Sequence, residues 1–349
     1  MNNIRFDTWP DDLFLVSYPK SGNTWLRYLF GHYISGEEYP DVSQLIPDLY
    51  VNLDVILKQK QKRLIKSHEP FRDEKQRVFY IVRDGQYLTI PYSKYPRVIY
   101  IVRDGRDVAV SYYFYMQSRK LIPLDMPFGD YLRAFNANRI DHIRAFNINQ
   151  PDQYYSWSDH VHSWLDNASE SFLLLRYEDM KADAETQFLR CLEFAHFPIE
   201  MDRVNFAVEC CKFENLQQRE QNWYSQKGNA PLYPFFRKGT SGQWQEYFTE
   251  EMLEIFLARH GSALERVGYT DVALDSRKVY GNVRRELERV IGCQDRKYLA
   301  LKQEVSHLRQ QLEQAHAVIT EIESSKFWLI RRAWFQLRNC FRKIRQRCG

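Results

Sequence analysis

Cysteine is scarce and scattered in this 349-residue chain: Cys191, Cys210, Cys211, Cys293, Cys340 and Cys348 include no CxxC pair. That argues against a cysteine-bound metal or a disulfide framework, and reduced thiols in a cytoplasmic protein are the expectation. No apolar run follows a basic start, so no secretory leader is expected. No stretch approaches the roughly 18 uninterrupted apolar residues of a membrane span. The Walker spacing, with Gly four residues before Gly-Lys-Ser/Thr, is missing, so ATP hydrolysis is not implied. Carboxylates do not cluster, and no metal site is expected.

Excess charge is also small, at +4, but it is unevenly placed. Residues 331–349 carry Arg331, Arg332, Arg338, Arg342, Lys343, Arg345 and Arg347 with no acid; removing these seven leaves the remainder at about −3. The basic character therefore belongs to the tail, and nucleic acid is not an expected partner. Hydrophobic residues make up 44% of the chain and aromatics 15%, which is ample for a sizeable core. The length suits one large α/β domain with an appendage.

The rest of the chain is organised around Leu13–Phe30. An apolar run of strand length meets Tyr18-Pro-Lys-Ser-Gly-Asn-Thr-Trp25, and an apolar pattern at helical spacing begins at once. A strand, a tight loop and a helix N-terminus aim backbone amides and a positive helix end at one point. Lys20 adds a charge, and Ser21 and Thr24 add hydroxyls, so the expected guest is a phosphate or sulfate. Taken alone, an ordinary strand-to-helix turn is an equal alternative. Further on, Leu64-Ile-Lys-Ser-His-Glu-Pro70 reads as a short strand with Lys66 and His68 at its carboxyl end, where open α/β sheets gather ligands.

A near-repeat comes next. Arg77-Val-Phe-Tyr-Ile-Val-Arg-Asp-Gly85 recurs 20 residues later as Arg97-Val-Ile-Tyr-Ile-Val-Arg-Asp-Gly105, with one difference in nine. Only the second copy runs into a helical pattern, which Asp107 is expected to cap and which carries Ser111. The first copy meets Pro91 and is read as an inserted edge strand or hairpin, with two ordinary sheet strands as a nearly equal alternative. Trp157 and Trp164 lie seven apart on one side of a helix; His160 and His162 point apart and make no zinc pair. Phe172–Tyr177 reads as a buried strand, 182–196 and 200–218 as helices, 222–242 as a loop, and Thr249 as the cap of a last helix.

From about residue 283 the pattern changes. Tyr298, Leu301, Val305, Leu308, Leu312, Ala315, Ile319 and Ile322 alternate steps of three and four, which predicts a coiled-coil seam and self-association. Phe327–Phe335 then joins large aromatics to the basic cluster, a composition suited to peripheral contact with an anionic membrane. A solvated helix end or docking on a partner protein stays open there. The expected organisation is a domain over 1–275, a coiled-coil helix over 276–326 and a basic aromatic amphipathic tail over 327–349.

Arg103 and Ser111 lie eight apart, at a strand end and in the following helix, so both can reach one anion. Arg237, Lys238 and Gly239 form a basic loop with exposed amides. Two anion sites and one base point to a nucleotide phosphorylated on two carbons. With these pieces in order, the chain resembles the cytosolic-type sulfotransferase family, users of 3′-phosphoadenosine 5′-phosphosulfate (PAPS), as a bacterial-like member with an added coiled coil. The similarity spans roughly residues 12–270 and rests on the Tyr18–Trp25 loop, Val102–Tyr113, and Arg237-Lys-Gly-Thr-Ser-Gly-Gln-Trp244.

The resemblance implies an α/β fold with a P-loop-like central parallel sheet flanked by helices. It also implies PAPS as co-substrate, without a metal. Lys20, Ser21, Gly22, Asn23 and Thr24 would hold the 5′-phosphosulfate, and Arg103 and Ser111 the 3′-phosphate. Arg237, Lys238 and Gly239 form the C-terminal nucleotide loop, with Trp25, Tyr177 and Phe213 around adenine. His68 would act as base, with Lys20 and Lys66 stabilising charge during in-line transfer to a hydroxyl or amine. The usual His pKa near ~6.5 suits that role.

Two departures stand out: Gln243 where the family has Asp, and Asn23 where Thr is common. His68 lies 15 residues before Arg83 and 35 before Arg103, so spacing alone favours Arg83; the Ser111 helix favours Arg103. Tyr112–Tyr115 could line an apolar or sugar-binding groove, and the tail favours a glycan or lipid acceptor over a small phenol. The competing readings are a P-loop kinase-like enzyme acting on ATP and a non-catalytic assembly protein built on the coiled coil.

Overall fold

The computed structural model describes residues 3–5, 8–49, 51–59, 62–71, 79–82, 86–89, 96–137, 156–228 and 230–269, with His307, Gln311 and Trp334. The chain divides into two compact units, Met1–Arg284 and Arg285–Gly349. The expected coiled coil and tail, and Arg83, lie outside the described residues apart from those three positions.

Among the described residues the strands are β1 Asn3–Arg5, β2 Leu13–Ser17, β3 Leu64–Ser67, β4 Phe79–Val82, β5 Gln86–Thr89, β6 Arg97–Val102 and β7 Phe172–Arg176. The helices are α1 Asn23–Ser35, α2 Val42–Leu45, α3 Leu53–Lys58, α4 Gly105–Ser118, α5 Phe128–Asn136, α6 Trp157–Leu165, α7 Tyr177–Ala182, α8 Ala184–Phe194, α9 Met201–Cys210, α10 Phe213–Lys227 and α11 Glu250–Arg266. Four strands form one sheet in the order β3-β2-β6-β7, with every neighbour parallel. β1, β5 and β4 form a second, three-stranded sheet.

A parallel sheet is covered on both faces, so its strands read as continuous apolar runs. The two-residue pleat sorts those runs. Phe14, Val16, Val98, Tyr100 and Val102 pack on one face with Tyr112, Trp157 and Phe256. Leu13, Leu15, Ile99 and Ile101 pack on the other with Leu26, Phe30 and Phe188. The expected α/β class with a central parallel sheet is what the chain adopts. The carboxyl ends of β2, β3, β6 and β7 all open to one edge, and that edge sets the site.

Local details depart from the sequence reading where a cap or a break intervenes. The helix expected over 200–218 is two, α9 and α10, parted at Cys211 and Lys212. Of the first copy, the described residues Phe79–Val82 form β4, which pairs antiparallel with the β5 residues beyond the copy, Phe79 opposite Thr89 and Val82 opposite Gln86. The second copy is the central strand β6, between β2 and β7.

Candidate active site

After β2 the chain turns sharply. Lys20 takes a left-handed φ of 68° and Gly22 one of 104°. A Cβ on Gly22 would lie 2.7 Å from Cδ2 of Tyr177, so both backbone and packing demand glycine there. Gly22 caps α1, whose first amides have no acceptor inside the helix. Asn23 pins the loop from beneath: its buried Nδ2 donates to the Leu15 carbonyl at 2.9 Å and to Ser17 Oγ at 3.3 Å. That tie explains why Asn serves where Thr is common.

The Lys20 ammonium sits 3.6 Å from the Phe235 ring centroid and 4.8 Å from that of Tyr115. No carboxylate pairs with it among the described residues. Burial, with Arg103, Arg119 and Arg237 nearby, lowers its pKa to about 7 against the pull of Glu220. At neutral pH it is therefore poised between charged and neutral, and an anion beside it would restore the charge.

At the end of β3, Lys66 donates to Asp48, a residue the sequence reading did not single out. Burial lowers the Lys66 pKa, with Asp48 opposing. His68 Nδ1 lies 2.7 Å from the Ser17 carbonyl. A carbonyl only accepts, so Nδ1 carries the proton and Nε2 is the basic nitrogen. Burial, then the Lys66 charge, lowers the His68 pKa to about 3. The ordinary value assumed from sequence is thus displaced, and the ring stays neutral across the physiological range.

The helix after β6 is capped by Asp104, which accepts from the Arg106 amide at 2.9 Å, and not by Asp107 as expected. Asp107 lies three residues past the cap, inside the first turn. Its buried carboxylate instead accepts from the Gly242 amide at 2.7 Å and the Trp244 amide at 3.0 Å. It thereby fastens the basic loop to α4. Arg103 donates to the Thr240 carbonyl at 3.0 Å, lies 3.6 Å from Asp107, and stacks 4.5 Å from the centroid of Tyr177.

Arg237 donates to Gln243 Oε1, and Gln243 Nε2 donates to the Thr240 carbonyl at 3.0 Å, so Gln ties the loop where the family pattern has Asp. Lys238 pairs with Glu246 at 2.7 Å. Gly239 has φ 60°, and a Cβ there would lie 2.2 Å from Cδ2 of Phe213. Glu220 accepts from the amides of Phe235 and Phe236 and so places the ring against Lys20.

These elements enclose one cleft of about 340 Å³. Lys20, Gly22, Asn23, Thr24, Trp25, Lys66, His68, Arg103, Ser111, Tyr177, Phe213, Arg237, Lys238 and Gly239 all line it. Ser21 alone of the expected set lies behind the wall, almost fully buried. The positions the sequence reading missed, Asp48, Asp107, Gln243 and Phe235, line it as well. Gln243 had at least a signal, as a departure from the pattern. The others pair across long sequence distances and leave no local trace. Among the described residues, no group of three or more His, Cys, Asp or Glu could hold a metal ion. No helix among them is long and apolar enough to cross a membrane.

The sulfotransferase domain family matches residues 10–268, which spans the whole cleft. The chain belongs to the sulfotransferase family. This sulfotransferase is 28% identical over 275 residues to rat sulfotransferase 1E1, covering 72% of this chain and 82% of that one. It is 25% identical over 290 residues to mouse sulfotransferase 1A1, covering 76% and 89%. Among solved structures, mouse sulfotransferase SULT7A1 complexed with PAP shares its fold, with a TM-score of 0.53 at 22% identity, over 76% of this chain and 89% of the other. Retinol dehydratase in complex with retinol and PAP does so with a TM-score of 0.54 at 19% identity, over 77% and 84%.

Proposed function

We propose that this sulfotransferase moves the sulfuryl group of PAPS to a hydroxyl or amine acceptor, with His68 as general base. The observation that carries the reading is the joining, in one cleft, of two separate cationic sites and an imidazole whose basic nitrogen is defined by the Ser17 carbonyl. The residues fit the donor. Trp25 Nε1 and Arg103 Nε are buried and make no hydrogen bond among the described residues, so two donors stand ready at its wall. Gly22 and Gly239 keep both loops bare where a Cβ would strike Tyr177 or Phe213.

Lys20, Thr24 and the first amides of α1 hold the 5′-phosphosulfate. Arg103, Ser111, Arg237, Lys238 and the Gly239 backbone hold the 3′-phosphate, and Trp25, Tyr177 and Phe213 flank the base. His68 Nε2 takes the acceptor's proton as its oxygen or nitrogen bonds to sulfur and the bond from sulfur to the 5′-phosphate oxygen breaks. Lys20 meets the charge gathering on that leaving oxygen. Lys66, held by Asp48, sets the field around His68 from a fixed position. Val51 and Phe235 line the cleft yet remain 75% and 40% exposed, so its mouth is apolar and suits a glycan- or lipid-linked acceptor.

The test has two steps. PAP, and not ATP, should raise the melting temperature; the reverse order rejects the donor. Labelled PAPS should then transfer its sulfur to 4-nitrophenol or octyl glucoside as acceptor probes, and retention of most of that activity by His68→Ala rejects the base. For the C-terminal region, the proposal is association of 276–326 as a coiled coil and contact of 327–349 with anionic membrane on the cytoplasmic side. A monomeric full chain in sedimentation, or no binding to phosphatidylserine vesicles, rejects the respective part.

A further inference from the structure

Helix α6 begins at the capping box of Ser156 and Asp159 and buries Trp157 and Trp164 in the core. Its residues at i, i+3 and i+4 spacing serve a single neighbour, the backbone that follows β3. His160 Nε2 lies 3.1 Å from the His68 carbonyl. Trp164 Nε1 donates to the Glu69 carbonyl at 2.8 Å. Ser163 Oγ accepts from the Phe71 amide at 3.0 Å. Beneath them, the Tyr100 hydroxyl lies 2.8 Å from His160 Nδ1, and the two rings stack at 5.6 Å and 23°.

The tautomer of His160 is set by its partners. The His68 carbonyl can only accept, so Nε2 carries the hydrogen; Nδ1 is bare and receives the Tyr100 hydroxyl. Burial keeps this second imidazole neutral as well, with its pKa lowered to about 3. His68 is thus tied twice: its ring to β2 through Ser17, its backbone to α6 through His160.

We propose that α6 is the positioning element of the base, and that His160, its tautomer set by Tyr100, is the positioning residue that fixes where the His68 imidazole stands. His160 touches neither donor nor acceptor; it acts through the His68 peptide. Reacting groups tolerate little displacement, and a shift of about 1 Å costs on the order of 10²-fold in rate. The inference rests on the reading of His68 as base, and its test separates the two.

The full-length protein, saturated with PAP, is compared as wild type, His160→Leu, His160→Gln and Tyr100→Phe. In ¹⁵N-histidine spectra the wild-type His68 ring should be a single Nδ1–H tautomer. His160→Leu should give mixed tautomers, and His160→Gln, whose amide can still donate, should restore one. With the acceptor probe that turns over, His160→Leu should lower kcat roughly ten- to hundredfold and leave PAP affinity within about twofold. In a His68→Ala background the same change should cost nothing more. Unchanged His68 spectra and kcat in His160→Leu overturn the proposal, and so do losses that multiply with those of His68→Ala. If His160→Leu does not fold, Tyr100→Phe, which keeps the ring in the core, carries the comparison; wild-type spectra and rate there overturn it equally. The spectra need no acceptor. A His68→Ala enzyme with full activity would therefore reject the base while the spectra still decide the positioning.

Discussion

The two ends of the cleft hold their cations in opposite ways. On the α4 and basic-loop side, each charge has a protein partner: Arg103 has Thr240 and Asp107, Arg237 has Gln243, and Lys238 has Glu246. On the β2–α1 side, Lys20 has, among the described residues, the faces of Phe235 and Tyr115 and no paired carboxylate, and its charge is half surrendered at neutral pH. Fixed, partnered cations bind without rearranging when charge arrives. A desolvated, weakly partnered one gains most from an anion, and most of all from an anion whose charge grows during reaction. In the proposed reaction, one end would hold the donor and the other respond to its changing charge.

The sharpest way to break that contrast is to exchange its consequences. Lys20→Met should lower kcat on the order of 10²–10³-fold, read in the labelled-donor assay, since it removes a donor to developing charge. Arg103→Ala should instead weaken PAP binding about ten- to hundredfold in calorimetry, the usual scale for hydrogen bonds to charged groups. If the two losses trade places, the division of labour is wrong.

Gly239→Ala should cost roughly tenfold in PAP affinity, because it adds strain at φ 60° and drives a methyl into Phe213. The pH response tests Lys20 directly. Its folded pKa of about 7 lies far below the ordinary Lys value, and a bound anion favours the ammonium, so binding takes up a proton above that pH. PAP affinity should fall about tenfold per unit as pH rises from 8 to 9. Calorimetry in buffers of different ionisation enthalpy should register the uptake, and Lys20→Arg should abolish it; a pH-independent Kd in the parent rejects the poised lysine. The smallest effect belongs to Gln243→Ala, which frees Arg237 from one neutral partner and should weaken PAP binding about threefold.

What could be read without coordinates was whatever is local. The run Leu13–Trp25 announces a strand, a turn and a helix in consecutive residues, and Arg103 to Ser111 spans one strand end and two helical turns. Such signals depend on periodicity and turn chemistry within a dozen residues. Asp48 meets Lys66, Asp107 meets Gly242, and Glu220 meets Phe235 only after the fold closes. A lone acid carries no mark of its future partner, so Asp107 looked like a cap, the nearest role available to it. The pKa of His68 was hidden for the same reason: burial and the Lys66 charge are properties of the assembled cleft.

The duplicated nine residues carry a wider lesson about repetition. In one place Arg97–Val102 is an inner parallel strand that leads into α4; in the other, Phe79–Val82 pairs antiparallel with β5 in a separate three-stranded sheet. Nearly the same words thus take two grammatical roles, decided by the residues on their C-terminal side. The extra copy falls in the β3-to-β6 connection, between strands that lie on either side of β2. One copy of the nine residues therefore supplies a strand to the sheet whose carboxyl ends line the cleft, and the other pairs outside it, so a repeated sequence need not be a repeated structural unit.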